Sequence, residues 1–315
     1  MKFILAWVMT VTTSVAFSCD VCNLFSNVFP NENYSKVGLV YRSRLMYGTM
    51  GQLNQGFQLK HSSSTEVNNY RDKTVKDIFN VLEVRAHFTF KERWRVSAFL
   101  PMVNNYRSIE GYTLFDIYNI GDPLVMGEYM FWGSLNGDRK FVHRMSGGLG
   151  IKMPVGKRGV LYDGRLVDDD LQPGTGSWDV LAMLNYRCKI KSFGVQLNQS
   201  YRVNTYGFKD FKYGNSYNAN SSFFYIFNVG KKWKLMPQTG LYFEQANKDR
   251  DQYGKFENSG GHSLYHNAGL TVQWDQLQLA CQYQYRFYHQ LNGIQIPTKN
   301  RFIVSVYYQF NLKKN

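Results

Sequence analysis

Hydrophobic and polar residues alternate with a period of two along most of this chain. From Phe193 to Asn204 every second residue is apolar except Gln199, and the residues between them are polar or glycine. The same pattern runs from Leu277 to Phe287, where Gln, Ala and Arg fill the alternate positions. Successive side chains of a strand point to opposite faces, so the pattern predicts strands with one apolar and one polar face.

The alternation predicts about 12 strands of about 10–15 residues each. They are 36–47, 77–90, 93–103, 118–132, 139–152, 178–189, 192–205, 217–230, 233–246, 263–274, 276–289 and 300–312. Strands of globular proteins average about 5–6 residues, whereas a strand that crosses a membrane needs about 9–11. Strand length therefore favours a membrane barrel over a sandwich.

The connections between these strands alternate between short and long. The long ones are 48–76, 104–117, 153–177, 206–216, 247–262 and 290–299. Bacterial outer-membrane barrels have short periplasmic turns and longer external loops. We therefore predict an all-β fold, a transmembrane up-and-down antiparallel β-barrel; a soluble lipocalin-like barrel would need only about eight strands.

Composition narrows the class of protein further. Aromatic residues make up 17% of the 315 residues, and charged residues only 19%, below the roughly 25% of soluble proteins. The mean hydropathy of −0.39 excludes a bundle of membrane helices, and the many aromatics exclude disorder. The formal charge of +14 does not indicate nucleic-acid binding, because lysines cluster in short turns and at the C-terminus.

The N-terminus has the layout of a secretory signal peptide. Lys2 precedes an apolar stretch that ends in small residues, and we expect cleavage near Cys19. The chain then divides into a signal peptide (1–18), a short segment with a C-x-x-C motif (19–35) and the barrel (36–315), which we expect in the outer membrane of a Gram-negative bacterium. The aromatic last strand resembles the signal that the barrel insertion machinery recognises.

Cys19 and Cys22 permit three interpretations. They can form a disulfide or remain an idle thiol pair, Cys19 can carry a lipid, or the pair can serve a metal or redox site. A lone C-x-x-C lacks the second ligand pair of structural zinc, and no thioredoxin-like pattern surrounds it.

Several short motifs occur in an order that resembles one family. They are Phe99-Leu100-Pro101, Gly121-Asp122-Pro123, Lys152-Met153-Pro154-Val155-Gly156, Pro173-Gly174-Thr175-Gly176-Ser177-Trp178-Asp179, Tyr201-Arg202-Val203-Asn204 and Tyr213-Gly214-Asn215. Together they resemble the outer-membrane barrels grouped as the "MetA-pathway of phenol degradation" transporter-like family. The resemblance extends from about Gly38 to Phe310. It implies an outer-membrane channel or transporter for small, often apolar compounds.

The polar strand faces carry ionisable residues that we take as candidate pore-lining residues. They are Glu83, Arg85, Arg95, Glu128, Arg144, Lys152, Arg187, Arg202, Glu244 and Arg286. The interior of such a barrel must be filled or wet. These side chains can form a salt-bridged interior that stiffens the barrel, or line a pore and set its ion preference. Basic residues outnumber acidic ones, which indicates a mild preference for anions.

Other candidate chemistry is weak. Asp163, Asp168, Asp169 and Asp170 could hold Ca²⁺, but their spacing is not that of an EF-hand, and a solvated external loop is the plainer interpretation. His262, Ser263 and His266 do not complete a convincing catalytic triad. We predict no catalytic residues, no resident metal and no cofactor.

The sequence thus predicts an outer-membrane channel that admits small molecules, apolar or aromatic ones included, by passive diffusion. Its partners are the outer-membrane lipids, the solute and the barrel insertion machinery, without nucleic acid. One alternative is a structural or adhesive barrel with a plugged lumen that acts through its external loops. A second alternative is a membrane-embedded hydrolase.

Overall fold

The computed structural model describes residues 34–49, 73–133, 141–293 and 295–311. The predicted signal peptide, Cys19 and Cys22 lie outside the described residues. Nearly all regular structure is antiparallel β-sheet, and no helix among the described residues is long and apolar enough to cross a membrane.

Eighteen strands follow one another along the described chain. The first nine are β1 (Ser35–Thr49), β2 (Thr74–Phe90), β3 (Trp94–Ile109), β4 (Tyr112–Ile120), β5 (Leu124–Gly133), β6 (Phe141–Lys152), β7 (Leu161–Tyr162), β8 (Arg165–Leu166) and β9 (Asp179–Ile190). The others are β10 (Phe193–Asn204), β11 (Ser216–Tyr225), β12 (Phe227–Val229), β13 (Trp233–Ala246), β14 (Arg250–Asp251), β15 (Gly254–Lys255), β16 (Gly261–Trp274), β17 (Leu277–Leu291) and β18 (Thr298–Phe310).

Fourteen of these strands form one sheet that closes into a barrel. The barrel wall has twelve staves, where a stave is one strand position of the wall, occupied by a single strand or by two consecutive ones. β4 and β5 together make the fourth stave, because both pair with β3, and β11 and β12 together make the eighth, because both pair with β13. β1 pairs with β2 on one side and with β18 on the other, which closes the sheet. The predicted twelve-stranded up-and-down barrel is confirmed.

The alternation of the sequence sets the two faces of this barrel. On β17, Gln278, Gln282 and Gln284 are fully buried, whereas Leu279 and Tyr283 are 45% and 43% exposed. The outer face is therefore apolar and the inner face polar, the arrangement that lipid outside and an enclosed polar interior require. Aromatic residues extend the apolar face at the strand ends, where Trp233 and Trp274 stack with ring centroids 5.7 Å apart.

One predicted long connection is wrong. Residues 104–117 do not form a loop; β3 and β4 continue as a paired hairpin that turns at Glu110 and Gly111. Both turn residues have positive φ, 53° and 85°, as the tightest hairpin turns require. The polar residues of this segment resemble loop composition although the backbone stays in the ladder.

The fourth stave is interrupted where Gly121, Asp122 and Pro123 leave the sheet. Met102 still pairs with Ile120 on one side of the break, and Phe99 pairs with Leu124 on the other. The backbone N–H of Gly121 donates to the carbonyl of Pro101 (2.9 Å). This break turns the Asp122 side chain into the barrel interior, where it is buried.

Candidate functional site

The candidate functional site is the barrel lumen together with the mouth at the long-loop end. All ten predicted pore-lining residues lie on the buried-face positions of their staves. Seven are buried there, namely Glu83, Arg85, Glu128, Lys152, Arg187, Arg202 and Glu244, and the partly exposed three are Arg95, Arg144 and Arg286.

One buried ion-pair cluster joins β1 and β2. Glu83 accepts a hydrogen bond from Arg42 (Nη2 to Oε2, 3.1 Å) and contacts Arg85 through its other oxygen. Arg85 also interacts with the hydroxyl of Tyr307 on β18, across the width of β1. His87 lies beside this cluster, with Nδ1 2.8 Å from the hydroxyl oxygen of Ser97. The cluster ties three staves together on the lumen wall.

A second cluster surrounds Glu128 on β5. Its oxygens accept hydrogen bonds from Arg95 (3.3 Å), Ser146 (2.5 Å) and Asn185 (3.3 Å). Asn185 is on β9, so its side chain reaches across β6 to make this bond. It can do so because Gly148 on β6 pairs with Glu128 and carries no side chain.

A third cluster contains a residue that sequence reasoning missed. Arg301 on β18 binds Glu244 on β13 with two nitrogens, at 2.7 and 2.8 Å. Tyr265 donates its hydroxyl hydrogen to the same carboxylate (2.9 Å), and the guanidinium of Arg301 lies over the ring of Tyr265, 4.5 Å from its centroid. The alternation of β18 carries the signal for Arg301, because its neighbours Phe302 and Val304 lie on the opposite face.

The family motifs meet at one buried point near the mouth. Lys152 Nζ lies 3.1 Å from Asp122 and 2.5 Å from Asp179. The Asp122 carboxylate also accepts the backbone N–H groups of Gly156 (2.9 Å) and Thr175 (2.8 Å). Three separate motifs thus build one network, which a charged pair this deeply buried needs in order to be stable.

The link between β6 and β9 folds back over the mouth. Its Leu171 is fully buried and packs on Phe79, Phe115 and Ile117, which belong to the inward face of the staves. The side-chain amide of Asn105 donates to the carbonyl of Leu171 (2.8 Å). The expectation of a solvated external loop is therefore wrong for the residues around Leu171, whereas the β7–β8 hairpin around Asp163 is exposed.

Ion pairs fix this mouth loop, defined as residues 153–178, to the wall. Arg107 on β3 binds Asp77 on β2 with two nitrogens, both at 2.8 Å. The same guanidinium binds Asp168 (2.6 Å) and Asp170 (3.2 Å) of the loop. Burial and the nearby Asp170 raise the pKa of Asp168 to about 6. Three carboxylates thus share one guanidinium.

Of the other two aspartates of the loop, one forms an ion pair and one is exposed. Asp169 binds Arg158 (2.5 Å), and Arg158 also donates to the hydroxyl of Tyr213 (2.9 Å). Burial raises the pKa of this tyrosine above its ordinary value. Asp163 lies exposed at the tip of the β7–β8 hairpin. Among the described residues no group of three His, Cys, Asp or Glu side chains could hold a metal ion.

The part of the lumen wall formed by β10 to β18 is rich in neutral amides and hydroxyls. Its buried members include Gln196, Asn218, Asn220, Ser222, Gln238, Asn267, Thr271, Gln278, Gln282 and Gln284. Gln238 and Gln282 pair in register with Gly269 from either side, and neither amide has a side-chain partner within the described chain. Opposite this wall, Phe99, Leu124, Met126, Leu181 and Met183 form an apolar cluster.

The histidines and serine considered for hydrolysis lie on opposite faces. Ser263 is buried on the inner face of β16, whereas His266 is exposed on the outer face, with Nε2 2.9 Å from the Thr239 hydroxyl oxygen. These two side chains point away from each other across the sheet. The free cysteines Cys188 and Cys281 also lie at outward positions.

Comparison with known proteins agrees with this architecture. A model of the family described as "Putative MetA-pathway of phenol degradation" matches residues 58–291. An outer membrane channel from Pseudomonas putida F1 has a similar structure, with a TM-score of 0.59 and 12% identity over 91% of this chain and 98% of that one. The beta domain of the Bordetella autotransporter BrkA gives a TM-score of 0.49 and 9% identity over 89% and 100% of the two chains. No curated protein matches in sequence.

Proposed function

Because this chain belongs to the family of the MetA pathway of phenol degradation, we propose that it is a channel through which small molecules diffuse passively. The barrel lies in the outer membrane of a Gram-negative bacterium. Its apolar outer face faces lipid, and the closed sheet leaves no unpaired edge for which lipid offers no partner. The last strand presents Tyr308 outward, where the insertion machinery can recognise it.

The observation that carries the proposal is the positive charge of the inward face. The buried cations are Lys36, Arg42, Arg85, Arg107, Lys152, Arg187, Arg202 and Arg301, and the partly exposed ones are Arg44, Arg95, Arg144, Lys189 and Arg286. The carboxylates that face them are Asp77, Glu83, Asp122, Glu128, Asp179 and Glu244 of the wall and Asp168 and Asp170 of the mouth loop. The inward face therefore stays positive even after each carboxylate is neutralised by a cation.

A positively charged lumen inside a low-dielectric barrel wall concentrates its electric field on permeating ions. The channel is therefore expected to prefer anions and polar or aromatic molecules that carry partial negative charge. The inward residues that such a solute can reach are the partly exposed cations Arg44, Arg95, Arg144, Lys189 and Arg286, which attract negative charge.

The proposal is tested by conductance and solute uptake. Purified, refolded protein in a planar bilayer should give stepwise currents whose reversal potential in a salt gradient indicates anion preference. Vesicles that contain the protein should take up a small phenol-like anion faster than empty vesicles. Absence of both effects would leave no support for a channel.

A second candidate function is favoured by the mouth loop. Leu171 is fully buried against inward residues of β2 and β4, and Arg107 ties the loop to the wall. A loop held this firmly would suit a plugged barrel that acts through its external surface. The two functions differ in the current of the unsubstituted protein, because a gated channel conducts with the loop in place, whereas a barrel plugged by the loop conducts only after the loop is shortened.

We assign no catalytic role. The separation of Ser263 and His266 on opposite faces of β16 argues against a membrane-embedded hydrolase of the Ser–His type, since nucleophile and base must lie within hydrogen-bond reach.

A further inference from the structure

Three basic residues lie side by side at the long-loop end of the barrel. Lys212 and Arg250 form an isolated antiparallel bridge, with backbone hydrogen bonds of 2.8 and 2.9 Å in both directions. Arg250 pairs in turn with Lys255 in the β14–β15 hairpin. Residues directly opposite each other in a ladder project from the same face. The basic row, defined as Lys212, Arg250 and Lys255, is therefore a line of three adjacent cations.

An exposed aromatic residue lies beside this row. Lys212 Nζ and Arg250 Cζ lie 5.6 and 5.5 Å from the centroid of the Tyr206 ring, which is 51% exposed. Phe208, 40% exposed, follows two residues later. The ring offers the cations only its weak quadrupole. It does not neutralise them.

The carboxylates near the basic row are engaged elsewhere. Asp249 accepts the backbone N–H of Gly214 (2.9 Å), and Asp251 accepts that of Tyr253 (2.8 Å). Glu257 binds Lys248. Within the described chain, no carboxylate forms an ion pair with any residue of the row.

This arrangement carries an electrostatic cost. Like charges directly opposite each other in a ladder destabilise it. Burial and the charge of Arg250 lower the pKa of Lys212, while Asp179 has a smaller opposite effect. The cost disappears when an anion binds across the row, because each cation then gains a charged acceptor.

We propose that the basic row binds a phosphate-type oxyanion at the outer rim of the barrel. The planar guanidinium of Arg250 can donate two parallel hydrogen bonds to phosphate oxygens, and Lys212 and Lys255 add donors from either side. Tyr206 and Phe208 offer apolar contact to the sugar or chain that bears the phosphate. The phosphate can belong to a phosphorylated lipid of the outer leaflet or be free in solution.

Two probes distinguish these sources, namely lipid A in neutral-detergent micelles and inorganic phosphate. The test variant is Lys212→Gln/Arg250→Gln/Lys255→Gln in the full refolded chain. The matched control, Lys191→Gln/Lys231→Gln/Lys232→Gln, removes the same charge at the short-turn end, where these lysines are exposed. We expect at least about a tenfold weaker binding of lipid A in the test variant, since several charge-assisted hydrogen bonds are lost, and no change in the control.

The phosphate arm identifies the source. If inorganic phosphate raises the thermal midpoint of the unsubstituted protein and displaces lipid A, the site takes any phosphate. If lipid A binds and phosphate does neither, the site is specific for the lipid headgroup. Equal binding by the unsubstituted protein and the test variant, an equal loss in the control, or binding of neither probe would overturn the proposal.

A second measurement guards against a folding artefact. In anion-free buffer the test variant should melt at the same temperature as the unsubstituted protein or higher, because like-charge repulsion has been removed. The single variant Arg250→Gln should also melt at the same temperature as the unsubstituted protein or at a higher one. A lower midpoint in both would show that the row is a structural contact and would overturn the proposal as well.

Discussion

Arg107 Nη1 lies 2.6 Å from an oxygen of Asp168, a residue 61 positions further along the chain. This bond joins the wall of the barrel to the mouth loop. The Arg107 guanidinium is held in place because two of its nitrogens bind Asp77. This side chain of β3 thus holds the loop over the lumen together with the packing of Leu171 and the hydrogen bond from Asn105.

Replacement of Arg107 should release the mouth loop. Arg107→Gln removes the partner of three carboxylates, and loss of one member of a buried ion pair costs about 3–5 kcal/mol. Backbone amides of residues 168–172 should therefore exchange hydrogen much faster in the variant. Lys76→Gln, at an exposed position on the adjacent β2, is the control and should leave exchange unchanged. Unchanged exchange in Arg107→Gln would mean that packing of Leu171 alone holds the loop.

Stability of the mouth loop should depend on Asp168. Its pKa of about 6 exceeds the usual value of about 3.9, so the folded loop binds a proton more tightly than the unfolded loop. The contribution of Asp168 to loop stability therefore rises as pH falls from about 6 to about 4.

Asp168→Asn tests this sign, because the amide stays neutral at every pH. The variant loop should be more stable than the unsubstituted loop at pH 7, and this advantage should shrink as pH falls through about 6. Hydrogen exchange of the loop amides, compared at equal pH, measures it. Asp163→Asn, at the exposed hairpin tip, should show no such trend. A pH-independent difference for Asp168→Asn would contradict the cause given for the raised pKa.

A cationic pair on β6 and β9 should contribute to ion preference. Arg144 and Arg187 lie directly opposite each other on the inward face. The double variant Arg144→Gln/Arg187→Gln should lower anion preference, because it removes two positive charges from the lumen wall. Arg42→Gln removes one of the two arginines that bind the buried Glu83 and should instead lower the free energy of unfolding. Reversal potentials in a salt gradient and urea unfolding in vesicles measure the two effects, and an unchanged reversal potential for the double variant would contradict its place in the lumen wall.

A charged side chain on the outward face should destabilise the barrel more, the closer it lies to the membrane centre. Leu277 is the first residue of β17, beside the short turn, and Cys281 lies four residues further into the strand. Cys281→Arg should cost about 2–4 kcal/mol in vesicles and Leu277→Arg about 0–1 kcal/mol. Cys281→Ala is the control for loss of the thiol. Equal costs for the two arginine variants would show that the membrane is centred elsewhere on the barrel.

Alternation along the chain was sufficient to predict all twelve staves, because lipid outside and polar residues inside impose a period of two on each one. It also placed the ten candidate residues on inward faces. Two features of the structure cannot be predicted from this alternation. The polar composition around Glu110 predicts a loop, but the backbone stays paired there and forms a hairpin.

The second feature is the mouth loop. Local periodicity carries no information on contacts such as Arg107 with Asp168, which depend on how distant segments meet in the closed barrel. The sequence shows Asp122, Lys152 and Asp179 as members of three separate motifs. That the three side chains meet in one buried network can be seen only in the three-dimensional structure. Arg301 is different, since the alternation of β18 already marks it as inward.

We propose that the lumen conducts small solutes and that the mouth loop limits their passage. Single-channel recording of the full refolded chain in a planar bilayer, alongside a variant in which residues 158–172 are replaced by a short glycine-serine linker, tests it most directly. The account predicts stepwise, anion-preferring current from the full chain and a larger step from the shortened variant. Silence from both proteins, with correct insertion shown by resistance to protease, would contradict it.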